Sequence, residues 1–481
     1  MTPEKILQAH WGYTSFRKGQ KEIITSVLSG KNTIAVLPTG GGKSICFQVP
    51  ALLFPGITLV ISPLISLMQD QVKNLVERGV AATFLNTSLS DGEKKIRTQE
   101  ILKNKYKIVY ISPEKLETKA FQSILKKITL SLVVIDEAHC ISQWGNEFRP
   151  SYKKILSSLK ATTQMPVLLA VTATATQHIL NEVISSLELT HPNIFSENVY
   201  RSNLQVLVLN TPTVVTKLLY LLEILSNHVG EDGIIYASTR KNTEYIALIL
   251  TQLVPQLKVA AYHGVLENQL RKKIQTDFIS GKINIIAATN AFGMGVDKPN
   301  VRFVIHFDTP ISVEDYAQEI GRGGRDGQPT ACYTFFSKID QENRSKFQKK
   351  NKSTSQQKKI TNDLQKMEHI LLTKFCKMKK LGAYFGSTTP SCTKCSSCLS
   401  KHKLHIHMRR NISAPLFYGL RKLRFKLNQS SKAKLPKSTA HFLSLLQPAE
   451  FSGIPGLGTG YLRHSNQITR LIRAKDDKIQ A

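Results

Sequence analysis

The chain has 481 residues, 41% of them hydrophobic and 21% charged, with 65 Lys and Arg against 34 Asp and Glu for a formal net charge of +31. That length accommodates about three domains at roughly 150 residues each, and the composition excludes a mostly disordered or fibrous chain. So large a positive excess favours a polyanionic partner, nucleic acid first. No apolar run reaches the ~18 residues needed to span a bilayer, and Met1 to Gln20 lacks the basic-then-apolar order of a signal peptide, so the expectation is a soluble, intracellular protein with no membrane partner. Seven cysteines are few and odd in number, which argues against a disulfide framework, and the grouping of four in the C-terminal third suggests a metal.

In chain order, Val- and Ile-rich runs at Thr33 to Leu37, Thr58 to Ile61, Ile108 to Ile111, Leu132 to Ile135 and Val167 to Val171 alternate with helix-length segments. Fully apolar strands so spaced predict a parallel sheet covered on both faces. The pattern then repeats, with strands expected at Gly233 to Tyr236, Lys258 to Tyr262, Ile283 to Ala287, Phe303 to His306 and Ala331 to Phe335, and helices at Thr243 to Leu253 and Leu266 to Ile279. The predicted fold class is α/β, two doubly wound parallel-sheet domains in tandem, with the junction near residues 205 to 215. From Gln341 to Lys380 there are 12 Lys or Arg against 3 acidic residues in helix-compatible spacing, which predicts a basic helical hairpin. The stretch Lys401 to Ala481, with 16 basic and 3 acidic residues, reads as a basic linker and a small helical domain. The domain boundaries drawn are 1–207, 208–337, 338–400 and 401–481.

The first strand runs into Pro38-Thr-Gly-Gly-Gly-Lys-Ser44 and a helix-compatible segment. Thr39, Gly40, Gly41 and Gly42 let backbone N–H groups converge on phosphate oxygens at a helix N-terminus; Lys43 can reach the β and γ phosphates and Ser44 can ligate magnesium. The strict phosphate-loop pattern asks for Gly where this chain has Leu37, so the loop alone could be an ordinary Gly-rich turn. A second apolar strand ending in Asp136-Glu-Ala-His139 supplies the context: Asp136 is placed to hold magnesium and Glu137 to orient and deprotonate water. In the second α/β region, Gln318-Glu-Ile-Gly-Arg-Gly-Gly-Arg325 carries Arg322 and Arg325 three apart. That spacing predicts one helical face, aimed at charge developing on the leaving phosphates. Cys376, Cys392, Cys395 and Cys398, at spacings of 16, 3 and 3, can close a tetrahedral zinc site of four thiolates, while Cys46, Cys140 and Cys332 read as buried free thiols.

Taken together and in this order, these blocks resemble the superfamily 2 helicases and specifically the RecQ DNA helicases, over about residues 8 to 400. Trp11-Gly-Tyr-Thr-Ser-Phe-Arg-Lys-Gly-Gln20 is similar to the family's adenine-recognition motif, which implies Arg17 and Gln20 at the base. Ile61 to Gln71, Tyr110 to Glu114, Val171 to Ala175 and Ala288 to Asp297 are similar to motifs Ia, Ib, III and V, with Asp297 implied among the nucleotide contacts. The sharpest marker is the aromatic-rich loop Ser142-Gln-Trp-Gly-Asn-Glu-Phe-Arg149 after the acidic motif. Trp144 and Phe148 could stack on unpaired bases and Arg149 could bind phosphate; the alternative for Phe148 is packing in an interdomain core.

The resemblance implies two RecA-like domains, a helical zinc module, and catalytic roles for Lys43, Asp136, Glu137, Gln318, Arg322 and Arg325. It also implies ATP, Mg2+ and Zn2+ as cofactors. The activity implied is an ATP-dependent 3′ to 5′ DNA helicase in repair and recombination, acting as a monomer on single-stranded and forked duplex DNA. Its place would be the bacterial nucleoid or the eukaryotic nucleus. Single-strand-binding or repair proteins are expected at the C-terminal tail, where Pro415 to Ile472 resembles a diverged HRDC domain; the family's winged helix is not found between it and Cys398. Departures are Asn146 in place of the usual His, Gly323 in place of Ala, and Val265-Leu266 where Gly-Leu is usual. An RNA helicase and a non-enzymatic DNA-binding or annealing protein with a vestigial motor are the rival readings.

Overall fold

The structure is a computed structural model that describes residues 1–401 apart from 39, 64, 143–148, 199, 255, 293–297 and 351. Thr39, Trp144, Phe148, Asp297 and the HRDC-like segment therefore lie outside the described residues. Within them no helix is long and apolar enough to cross a membrane.

Two parallel sheets carry the fold. The first takes the order β3-β4-β2-β5-β6-β1-β7 from β1 (Thr33–Val36), β2 (Ile57–Ile61), β3 (Ala82–Leu85), β4 (Ile108–Ile111), β5 (Leu130–Ile135), β6 (Val167–Thr172) and β7 (Asn193–Ser196). The second takes the order β10-β11-β9-β12-β13-β8 from β8 (Leu204–Asn210), β9 (Asp232–Tyr236), β10 (Val259–Tyr262), β11 (Ile285–Ala288), β12 (Val301–His306) and β13 (Thr330–Phe336). Both are RecA-like: central strands such as β2 and β9 are buried at every residue, because crossover helices cover both faces and leave no side for polar alternation. Each predicted strand is present. Those missed, β3, β7 and β8, are edge or near-edge strands that carry polar or exposed residues, Asn193 and Ser196 among them.

Two expectations need correction. The boundary at 207 and the junction at 205–215 fall inside or after β8, yet β8 pairs with β13 from Leu204 to Asn210 and belongs to the second sheet. The crossing therefore lies between Ser196 and Leu204. The apolar alternation of β8 continues the rhythm of the first sheet, so periodicity alone cannot assign it. Nor are Arg322 and Arg325 on one helical face: the helix Val313–Ile320 stops at Gly321, and both arginines sit in a turn where Gly324 adopts φ +51°.

The basic hairpin forms as the helices Lys338–Lys349 and Thr354–Leu372, followed by Lys377–Tyr384. A capping box at Ser353 and Gln356 starts the second of these. Met367, Ile370, Leu371, Met378 and Leu381 share one buried cluster with Val304, Tyr316 and Ile320 of the second sheet domain, which roots the hairpin and the cysteines there.

Candidate nucleotide site and cysteine cluster

β1 delivers the Gly-rich loop to the carboxyl edge of its sheet, where Leu37 N donates to Thr172 O at 3.0 Å. Leu37, the departure from the strict pattern, is 1% exposed and packs in the core; it extends the strand, and the loop proper begins after it. Gly40 and Gly42 adopt φ +83° and +76°, a region closed to most side chains. A Cβ on Gly42 would sit 2.4 Å from Gln20 Nε2. Lys43 and Ser44 follow at the start of the helix Ile45–Leu53.

Arg17 and Gln20 hold this loop directly. Gln20, 3% exposed, donates through Nε2 to Gly41 O at 3.2 Å and Gly42 O at 3.0 Å, while its Oε1 accepts from Arg17 N at 2.8 Å. The Arg17 guanidinium donates to Gly40 O.

The acid pair stands at the end of β5, beside β2. Asp136 N donates to Ile61 O at 2.9 Å, Ser62 Oγ donates to Asp136 Oδ2 at 3.2 Å, and Glu137 N donates to Asp136 Oδ1 at 3.0 Å. Burial, and after it the neighbouring Glu137 charge, push the Asp136 pKa up to about 7 against the opposing pull of Lys43. Glu137 takes φ +48°, an uncommon conformation for a residue with a side chain. Its Oε2 is buried without a hydrogen bond, 3.4 Å from His139 Nδ1. His139 Nδ1 in turn lies 2.9 Å from Thr172 Oγ1, which donates to Thr174 O. The acid motif and the Val171-Thr-Ala-Thr-Ala175 segment are thus one hydrogen-bonded unit.

From the second sheet domain, Gln318, Arg322 and Arg325 face the loop across a cleft of about 1060 Å³ that Arg17, Gln20, Gly40, Gly42, Lys43, Ser44, Asp136 and Glu137 also line. Arg325 Cγ lies 3.3 Å from where a Cβ on Gly40 would be. Every described nucleotide-site residue singled out from the sequence therefore meets in one place; Gly41 contributes backbone behind it. Gly323 has its own explanation, since a Cβ there would lie 2.5 Å from Thr330 Cγ2. Arg149 is not part of the cleft. Its guanidinium lies 3.8 Å from Glu114 of motif Ib, and its N–H donates to Cys140 O at 3.1 Å.

Sequence reading missed Ser62, which anchors Asp136, and the fully buried Tyr152, whose hydroxyl donates to Asp136 O at 2.8 Å. Ser62 lies inside the motif Ia-like segment Ile61 to Gln71, but only the neighbouring strand order brings it to the acid; Tyr152 has no local signal.

The Sγ atoms of Cys376, Cys392, Cys395 and Cys398 all lie within 4.8 Å of one another, and all four residues are buried. Backbone N–H groups of Lys377 and Cys392 point at Cys395 Sγ and Cys376 Sγ, at 3.4 and 3.2 Å. Hydrogen bonding, from Cys392 first, pulls the Cys395 pKa down to about 4, which favours the thiolate form that a metal requires. Four convergent sulfurs fit a tetrahedral zinc. Cys46, Cys140 and Cys332 are buried and form no disulfide among the described residues.

Two family models match the chain, the DEAD/DEAH box helicase over residues 17–183 and the helicase conserved C-terminal domain over 216–327. They define the class, a two-domain helicase motor. The solved structure of S. cerevisiae Dbp5 bound to RNA and ADP BeF3 is similar in fold, with a TM-score of 0.60 at 18% identity over 76% of this chain and 98% of that one. Among curated proteins, the chain is 39% identical over 404 residues to the ATP-dependent DNA helicase RecQ of Bacillus subtilis, covering 84% of this chain and 68% of that protein. It is 44% identical over 328 residues to the probable ATP-dependent DNA helicase RecS of the same organism, covering 68% and 65%. The chain belongs to the RecQ family of ATP-dependent DNA helicases. It spans about two thirds of the length of these relatives.

Proposed function

We propose that this chain is a magnesium-dependent, DNA-stimulated ATPase that translocates 3′ to 5′ on single-stranded DNA and unwinds duplex, in repair and recombination. The observation that carries the reading is the placement of Arg325 from one sheet domain against Gly40 of the phosphate loop on the other. Hydrolysis then depends on how the two domains sit, and a cycle of ATP binding and release becomes a cycle of opening and closing.

Each residue has a part in that cycle. Gly40 to Gly42 present backbone N–H groups and Lys43 its ammonium to the phosphates, and Arg17 and Gln20 read the base from the same elements that hold the loop. Ser44 and Asp136 would hold magnesium, which supplies charge neutralisation on the phosphate oxygens. Glu137 takes the proton of the attacking water, and Arg322 and Arg325, with Gln318, meet the charge that develops on the transferred phosphoryl group. The four cysteines hold a structural zinc. Trp144 and Phe148 would stack on unpaired bases, Arg149 would contact phosphate, and the basic tail from Lys401 would tether the chain to DNA with little sequence preference.

The deciding experiment is ATP turnover with and without single-stranded DNA, paired with unwinding of duplexes carrying a 3′ or a 5′ tail. The reading requires stimulation and unwinding from the 3′-tailed substrate. RNA stimulating as well as DNA would favour the RNA rival, and turnover absent with every polymer would favour the annealing protein.

A further inference from the structure

The connector between the two sheet domains does more than join them. After Glu197, whose N–H closes on Val36 O at 2.9 Å beside the first strand, Asn198 donates to Thr388 O at 3.0 Å and accepts from Thr389 Oγ1 at 3.2 Å. Both threonines belong to the segment leading into the cysteine cluster. Lys394, between two of the cysteines, donates to Ser202 O. On its other side the connector grips the turn that carries Arg322 and Arg325: Arg201 Nη1 donates to Gly321 O at 2.9 Å and Nη2 to Gly324 O. Asn203 Nδ2 donates to Gly324 O and Gln328 O at 2.9 and 2.8 Å. Burial lowers the Arg201 pKa and the nearby Arg325 charge acts in the same direction, so two guanidiniums share this corner.

A plain helix cap would account for the Gly321 bond alone. It does not account for a capping residue drawn from the interdomain connector, nor for the same connector being clamped by the cysteine segment. We infer that Arg201 is a positioning residue for the hydrolytic reaction: held between the cysteine module and the arginine turn, it fixes the backbone from which Arg325 reaches the phosphate loop. The inference rests on the nucleotide-site reading above. Arg201 touches no nucleotide; it acts through Arg325, and the cysteine module acts through Arg201.

The test uses the full chain, single-stranded DNA at saturation and steady-state ATP turnover for Arg201→Ala, Arg201→Lys, Arg325→Ala and the double variant Arg201→Ala with Arg325→Ala. Small displacements of catalytic groups cost up to about 100-fold in rate, so Arg201→Ala should lower kcat by roughly 10- to 100-fold while KM for ATP stays within about threefold. The double variant should be no slower than Arg325→Ala, because the two changes remove one effect. Arg201→Lys, which keeps the charge and loses the fork, covers the case in which Arg201→Ala does not fold and should show the same split. Multiplying losses, or an unchanged kcat in a folded Arg201 variant, overturn the inference. If Arg325→Ala alone turns over at the wild-type rate, the nucleotide-site reading fails first, and any Arg201 loss then arises elsewhere. Asn198→Ala, which leaves the turn and the cysteines intact, should lower kcat a few-fold at unchanged zinc content; no change there removes the cysteine module from the inference.

Discussion

Asp136 and Asp308 occupy equivalent places in the two sheets and have opposite fates. Each follows a central strand, β5 or β12, and each bonds a serine that follows the adjoining strand, Ser62 after β2 or Ser238 after β9. Each sheet also feeds its lysine from the strand two places along, Lys43 after β1 and Lys217 after β8. In the second domain the lysine closes the site: Lys217, 2% exposed, lies 2.9 Å from Asp308 and 2.7 Å from Asp340 of the hairpin helix. Asn242 and the Ser238 amide complete the carboxylate's shell. Burial works against the Asp308 charge, but Lys217, Ser238, Arg344 and Asn242 outweigh it and hold its pKa well below the carboxylate range. In the first domain Glu137 adds a second negative charge, and among the described residues no ion pair reaches Asp136, whose pKa rises to about 7. One fold thus makes a site where the chain withholds its own cation and a structural joint where it supplies one.

The largest effects should follow from removing what only the open site has. Lys43→Ala or Glu137→Gln should abolish ATP turnover while leaving affinity for single-stranded DNA nearly unchanged, by fluorescence anisotropy, since neither residue is placed on DNA. Equal loss of binding and turnover would break the contrast between site and scaffold. Arg325→Ala should come next, lowering kcat by about 10³-fold or more with a much smaller change in nucleotide affinity.

What the sequence made legible follows the same division. The open site is built from contiguous motifs whose residues must be of fixed type, so Lys43, Ser44, Asp136 and Glu137 are legible directly; the cysteine quartet, in a separate module, is legible from its residue type and spacing. The joint is built from Lys217, Asp308, Asp340 and Arg344, which come together only through strand order; each alone is an ordinary charged residue. The arginine turn falls between: Arg322 and Arg325 are legible as charges beside glycines, whereas their backbone is not, because the turn is bonded by Arg201 and Asn203 from more than a hundred residues away. The boundary at 207 is misplaced for a related reason, since which sheet β8 joins is a property of its partner β13.

Stability separates the two lysines next. Lys217→Ala leaves the buried Asp308 without its lysine and beside the half-buried Asp340, and breaking a buried pair from one side costs about 3–5 kcal/mol. Urea unfolding should register that loss and a loosened hairpin. Lys43→Ala, inactive though it should be, should keep the wild-type midpoint. Comparable destabilisation by both would mean that the first site is a structural joint as well.

A difference of sign should appear in the pH dependence of two carboxamide variants, each compared with wild type by urea unfolding in nucleotide- and magnesium-free buffer. Asp308 has a folded pKa depressed below its unfolded value of about 3.9. Its contribution is therefore complete above that value and is lost as pH falls through the folded pKa, so Asp308→Asn should be less stable than wild type by a constant gap from neutral pH to about pH 5 that narrows below about pH 4. Asp136 has the opposite sign: with a folded pKa raised to about 7, its charged form is disfavoured in the folded state, and stability falls as pH rises through that interval. Asp136→Asn should then be more stable than wild type above about pH 7, with the advantage vanishing towards about pH 4. A tenfold difference in proton affinity between the folded and unfolded chain is worth about 1.4 kcal/mol, so both gaps are measurable. If the two gaps had the same sign, the cationic place beside Asp136 would already be filled by the protein itself, and the distinction between an open site and a closed joint would be lost.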